Sequence, residues 1–221
     1  MATLKLHKAS ISFGKKEVLN EISFSLETGE ILGIFGRNGC GKSTLLKMIF
    51  GTLKKGFIEI TIDDKKFYPS KNISEKRIAY LPQHSFLPMN LKVRDVIPIY
   101  FSEEEKQDVI FYNPLIAKIA AQNIGALSHG QIRYLEVLLV SNLNHPYLLL
   151  DEPFSMIEPL YKIEIQNLLQ KISSTKGIII TDHYYEDVLA ITSKNIIINN
   201  GISHSINSKE DLYAWTYLRK N

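Results

Sequence analysis

The segment Gly36-Arg37-Asn38-Gly39-Cys40-Gly41-Lys42-Ser43 constrains this chain more than any other. It fits the pattern G-x-x-x-x-G-K-[ST], and its setting matters as much as its letters. Residues 31–35 form a short apolar run before it, and residues 42–50 read as a helix after it. A buried strand, a glycine-rich turn and a helix N-terminus in succession aim backbone N–H groups at one spot, an arrangement suited to phosphate. The glycines let the backbone turn inward. Lys42 is then expected to reach the terminal phosphates of a nucleotide, and the Ser43 hydroxyl to sit on Mg2+.

The flanking sequence supplies strands of two kinds. Leu4 and Leu6 alternate with polar neighbours, as do Ile22, Phe24 and Leu26, and again Ile58, Ile60 and Ile62. That period of two belongs to half-buried strands, with turns expected at Phe13-Gly14-Lys15-Lys16 and at Asp63-Asp64. Residues 31–35, 147–150 and 178–180 are instead apolar throughout, which suits parallel strands covered on both faces. Residues 196–198 read as the last strand, before Asn199-Asn200-Gly201. Between them, residues 91–126 are helix-like but broken by Pro98 and Pro114, with Glu103-Glu104-Glu105 suited to a helix start. A clearer helix follows from Gln131, carrying Ile132, Leu135, Leu138 and Leu139 on one face.

Two of the apolar strands end in residues that can do chemistry. Ligand sites of open α/β sheets lie at the carboxyl ends of strands. Asp151 and Glu152 are either solvated acids closing a strand or a magnesium ligand beside a group that orients water. His183 is either structural or a member of the same site. Ser128 precedes the clear helix and is either a simple N-cap or part of an anion site.

Bulk properties exclude other classes. The chain has 221 residues, enough for one sizeable domain, and its 22% charged residues disfavour disorder. A net charge of +3 is too weak to imply nucleic acid as a partner. The single cysteine, Cys40, cannot form an internal disulfide and suits a reducing cytosol. The N-terminal residues lack the apolar core of a signal peptide. No run of about 18 apolar residues occurs, so any membrane role is expected to work through another protein.

Taken in order, these motifs resemble those of the ATP-binding cassette (ABC) ATPases, over about Leu4 to Gly201. GRNGCGKST is similar to the family's Walker A, Gln83 in Leu-Pro-Gln to its Q-loop, and LSHGQ to its signature LSGGQ. YLLLDEP is similar to its Walker B with the following glutamate, and Thr-Asp-His to its switch histidine. The resemblance implies an α/β phosphate-loop core with a mainly parallel sheet. It adds an N-terminal antiparallel β subdomain and a small helical subdomain inserted at about residues 84–142, all in one domain spanning 1–221. It implies ATP and Mg2+ as ligands and ATP hydrolysis as the reaction. Gly36, Arg37, Asn38, Gly39, Cys40, Gly41, Lys42, Ser43 and Thr44 would wrap the phosphates, and Phe13 would stack on adenine unless it is a core phenylalanine. Ser43, Gln83 and Asp151 would serve the metal. Glu152 would polarise the attacking water, with Lys42, Gln83 and His183 near the γ-phosphate. Ser128 and Gly130 would act on ATP held by a second ABC subunit, identical or related, paired head to tail.

Three positions depart from the family pattern. His129 replaces a glycine and would be strained if its φ were positive. Glu158 stands for an aspartate in the D-loop, and Cys40 for a small residue in Walker A. None removes a catalytic group. The resemblance favours the motor subunit of a membrane transporter, peripheral on the cytoplasmic face and docked on an integral membrane permease. Residues 87–100 are the docking candidate, with core packing as the alternative. A soluble ABC ATPase in a role such as cofactor assembly is the competing reading, and a small-molecule kinase a more distant one. Residues 202–221, with Tyr213, Trp215 and Tyr217, read as a terminal helix or a partner contact.

Overall fold

The computed structural model describes residues 2–215 and 217. Strands β1 (Thr3–Phe13) and β2 (Lys16–Glu27) form a hairpin through Gly14 and Lys15, with Phe13 opposite Lys16. Strand β3 (Ile31–Phe35) then enters a second sheet, and α1 (Lys42–Phe50) follows it. Strands β4 (Phe57–Ile62) and β5 (Lys65–Phe67) complete the first sheet, in the order β2-β1-β4-β5, all antiparallel. Asp63 and Asp64 both have positive φ, 53° and 58°, the backbone signature of a two-residue hairpin turn that matches strand twist. The alternating residues Leu4, Leu6, Ile22, Leu26, Ile60 and Ile62 are buried, with Leu45, Leu46, Met48 and Ile49 of α1 packed in the same core.

A 3-10 turn at Pro69–Lys71 leads into α2 (Asn72–Glu75), whose buried Asn72 exchanges two hydrogen bonds with the main chain of Ile78. Strand β6 (Ile78–Leu81) opens the far edge of the second sheet. The segment that follows packs as α3 (Val93–Tyr100), α4 (Glu104–Phe111), α5 (Pro114–Ala117) and α6 (His129–Ser141). Pro98 does not break this region as the sequence suggests but sits inside α3. Being near the C-terminal end, it forfeits only one helical hydrogen bond, and Val93, Val96 and Ile97 keep the helix docked in the core. Pro114 opens α5 at the position where a missing N–H costs nothing, capped by Asn113 Oδ1 accepting from Leu115 N at 3.0 Å. Of residues 87–100, Leu87, Val93, Val96 and Ile97 are core, whereas Met89 and Ile99 face outward.

The second sheet runs β10-β9-β3-β8-β7-β6. Strands β7 (Tyr147–Asp151) and β8 (Gly177–Thr181), like β3, are buried at every position. The β9-β3-β8-β7-β6 stretch is parallel, the arrangement their unbroken apolar runs require. Full burial of one leucine there contributes roughly 1.5–3 kcal/mol. Helices α7 (Pro159–Ser173), α8 (Tyr185–Leu189) and α9 (Lys209–Ala214) supply further cover.

Strand β9 (Lys194–Asn199) is not the last. The turn Asn200-Gly201, with φ of 49° and 78°, returns the chain as β10 (Ile202–Ile206), antiparallel to β9. Three of its five residues are polar (Ser203, His204 and Ser205), so an edge strand gave little apolar signal. Trp215 stacks on His204, ring centroids 3.9 Å apart, and Tyr217 meets Phe35 edge-on at 5.9 Å. The tail therefore packs on its own chain as far as it is described. Residues 216 and 218–221 lie outside the described residues. No helix among the described residues is long and apolar enough to cross a membrane.

His145, in the turn before β7, gives the fold a pH dependence. Burial pushes its pKa below 6.5, with Lys176 and Lys76 adding repulsion. A depressed pKa means that the unfolded chain takes up the proton first. This share of stability is present above pH 6.5 and is lost as pH falls through the folded-state value. The melting midpoint should fall more between about pH 7.5 and 5.5 for the natural chain than for His145→Gln, as differential scanning fluorimetry would check.

Candidate nucleotide-binding site

The loop from β3 to α1 is shaped by glycines that cannot be replaced. Gly36 has φ of 149°, and a Cβ there would lie 2.5 Å from Cys40 Sγ and 2.8 Å from Ile198 O. Gly41 has φ of 108°, and a Cβ would meet Leu19 at 2.7 Å and Val18 at 2.9 Å. The loop is thus pressed against β2 and β9, and its residues Asn38, Gly39 and Gly41, with Lys42, Ser43 and Thr44 at the start of α1, line a cavity. Lys42 is buried and spans the loop, donating from Nζ to Gly36 O at 2.6 Å and Arg37 O at 3.4 Å.

Strands β7 and β8 bring the acids alongside. Asp151, 1% exposed, accepts from Ser43 Oγ at 3.0 Å and Thr181 Oγ1 at 2.8 Å on one oxygen, and from the Tyr80 hydroxyl at 3.1 Å on the other. Burial, reinforced by the Asp151 carboxylate, pushes the Tyr80 hydroxyl pKa well above its usual value, so it stays a donor. Glu152 has a positive φ of 56°. Its Oε1 lies 2.8 Å from His183 Nε2, and its Oε2 accepts from Gln83 Nε2 at 3.0 Å and Ser155 Oγ at 3.2 Å. Asn38, Gly39, Gly41, Lys42, Ser43, Thr44, Gln83, Glu152 and His183 line one cavity of about 270 Å³.

Other candidate residues lie elsewhere. Cys40 is half-buried against Gly36 and, with Arg37, Asn38 and Gly39, lines a neighbouring cavity of about 410 Å³ that Val18, Trp215 and Tyr217 also line. Burial pushes the Tyr217 hydroxyl up to about 12. Phe13, at the end of β1, is 45% exposed with Lys55 Nζ 5.2 Å from its ring centre, and it lines neither cavity. Ser128 and Gly130 sit at the start of α6, also outside the phosphate-sized cavity. Ser128 caps the helix in a reciprocal pair with Gln131, accepting from its N–H at 3.2 Å and donating its own to Gln131 Oε1 at 2.8 Å. A Cβ on Gly130 would collide with the Glu158 carboxylate and with Tyr161. His129 carries no strain: it is the first residue of α6, exposed, and not among the residues of positive φ.

Sequence reasoning missed five residues that organise this site. Tyr80 and Thr181 hold Asp151. Asp182, fully buried, accepts from Phe154 N at 2.7 Å, Tyr184 N at 3.0 Å and Ser155 Oγ at 3.2 Å, tying the turn after β7 to the turn after β8. Burial raises its pKa against those hydrogen bonds. Arg133 and Glu136 are the other two, a buried pair 3.2 Å apart on α6. Their signal was two opposite charges three residues apart inside the otherwise apolar stretch 132–140 of that helix.

A glycine-rich loop between a parallel strand and a helix, with acids at the neighbouring strand ends, defines a phosphate-loop nucleotide-binding fold. The family model described as "ABC transporter" matches residues 19–155, and the chain belongs to that family. The chain is 30% identical over 215 residues to the lipopolysaccharide export system ATP-binding protein LptB of Escherichia coli (strain K12). That match covers 91% of this chain and 88% of the relative. Identity to a probable ABC transporter ATP-binding protein of Azorhizobium caulinodans is also 30%, over 95% of this chain and 78% of that one. Among solved structures, an ATP binding subunit of an ABC transporter matches with a TM-score of 0.81 and 21% identity, covering 99% and 95% of the two chains. An ATP-binding cassette of another ABC transporter matches with a TM-score of 0.83 and 21% identity, covering 96% and 94%.

Proposed function

We propose that this chain is the ATP-hydrolysing subunit of an ABC transporter, pairing head to tail with a second such subunit and driving a separate integral membrane permease from the cytoplasmic face. The observation that carries this reading is that a buried lysine at the start of α1 and a carboxylate bonded to Gln83 and His183 line one cavity.

The phosphates of ATP are held by the backbone of residues 36–44, with the Lys42 ammonium exchanging loop carbonyls for phosphate oxygens. The Ser43 hydroxyl and Asp151 carboxylate, 3.0 Å apart, are hard oxygen donors of the kind Mg2+ takes while keeping several waters, and the amide oxygen of Gln83, which shares a cavity with Ser43, would add a third. Held by these residues, Mg2+ would supply neutralisation of charge on the phosphate oxygens. Tyr80 and Thr181 keep the Asp151 oxygens aimed. Glu152 orients and polarises the attacking water, held by hydrogen bonds from Gln83 and Ser155, and His183 contacts the γ-phosphate. Ser128 and Gly130, being outside this cavity, complete the site of the opposite subunit, so one chain alone is a poor enzyme. Glu158 packs on Gly130 within the chain, so its longer side chain bears on that dimer contact.

The test is a pull-down with tagged Glu152→Gln and ATP from detergent-solubilised membranes of the source cell. Recovery of a polytopic membrane protein in stoichiometric amount is expected. Recovery of soluble partners only would move the assignment to a soluble ABC ATPase.

A further inference from the structure

We propose that Arg133 is a positioning residue for Glu152, holding that residue's backbone in the left-handed conformation that aims its carboxylate. The inference rests on the reading of Glu152 as the group that activates water.

Glu152 stands at φ of 56°, a region that a residue with a side chain occupies at a cost. Such a conformation persists only where neighbours over-determine it. On one side the Glu152 N–H donates to Thr181 O at 2.7 Å. On the other, Arg133 Nη2 donates to Asp151 O at 2.5 Å and Glu152 O at 3.0 Å, gripping the carbonyls before and after the strained φ. Arg133 Nη1 reaches the opposite way, to Pro82 O at 2.8 Å and Glu136 Oε2 at 3.2 Å. Glu136 in turn accepts from Phe86 N at 3.0 Å through its other oxygen. One guanidinium thus joins three segments: the helix carrying Ser128 and Gly130, the turn carrying Gln83, and the turn carrying Glu152.

The chemistry selects arginine. Four acceptors in two directions match a planar fork and do not match the point charge of lysine. Burying such a pair brings little net stability, because desolvation offsets the attraction. A positional role is the better account of a guanidinium 7% exposed whose carboxylate partner is 1% exposed. Arg133 does not line the phosphate-sized cavity. Its loss should therefore leave ATP binding in place and misdirect the carboxylate.

The test compares Arg133→Lys and the double variant Arg133→Met with Glu136→Met, which leaves no buried charge unpaired, against the natural chain and Glu152→Gln. Melting midpoint, ATP dissociation constant, KM and kcat are measured on each. In both Arg133 variants kcat should fall about 10- to 100-fold, while the dissociation constant and KM stay within about threefold. The inference is overturned by a folded Arg133 variant with unchanged kcat, or by one in which ATP affinity falls in step with kcat. Natural turnover in Glu152→Gln would instead overturn the reading of Glu152 itself. An inactive Glu152→Gln beside a fully active Arg133→Lys would remove only the positional role. Where Arg133→Lys fails to fold, the double variant is judged by the same criteria.

Discussion

Replacing Glu152 by glutamine is expected to lower ATP turnover by about 10²- to 10⁴-fold while ATP still binds. The substitution is nearly isosteric and keeps one oxygen to accept from Gln83 and Ser155. It removes the negative charge that polarises water, and it places an amide where one carboxylate oxygen now faces His183 Nε2 at 2.8 Å. The groups proposed to hold phosphate lie in the loop and at the start of α1 and are untouched by the substitution, so affinity should be preserved. Phosphate release measured beside a nucleotide titration separates the two quantities. Retained hydrolysis in this variant would remove Glu152 from its role.

Replacing Lys42 by alanine should have the complementary effect, loss of binding. Lys42 is buried and lines the cavity. Charge-assisted hydrogen bonds to phosphate contribute roughly 1.5–3 kcal/mol each, so affinity should fall on the order of 10- to 100-fold or more. The check is the upward shift of melting midpoint on adding Mg-ATP, which grows with the logarithm of ligand concentration over the dissociation constant and should be clearly smaller than that of the natural chain at the same concentration. The unliganded midpoint reports separately on the lost contacts to Gly36 O and Arg37 O. An unchanged nucleotide shift would mean that the phosphates are held elsewhere.

Much of the architecture is written locally. The unbroken apolar runs at β3, β7 and β8 required a sheet covered on both faces, and the glycine-lysine-serine segment between a strand and a helix required a phosphate cradle. Each signal lies within about ten residues. Asp151, Glu152 and His183 could be singled out for the same reason: each follows an apolar strand, and strand ends are where sheets of this kind bind ligands.

Where the pattern is local but weak, the sequence misdirects. Strand β10 is polar because it is an edge, and Pro98 is tolerated because it falls near the end of a short helix docked by Val93, Val96 and Ile97. His129 escapes strain because helix α6 begins on it. No rule of spacing reports these outcomes, since each depends on what packs against the segment.

The sequence by itself determined the kind of sheet, the cradle and the acids and histidine at the strand ends. Only the tertiary structure decided which of these meet and how. Ser43 and Asp151 are 108 positions apart and come within 3.0 Å because β3, β8 and β7 lie side by side. The Arg133 fork that spans Pro82, Asp151 and Glu152 exists only after α6 has packed beside β6. The physical reason is range: propensity and periodicity act over a few residues, whereas a buried guanidinium finds its acceptors only among carbonyls that the sheet order has already brought together.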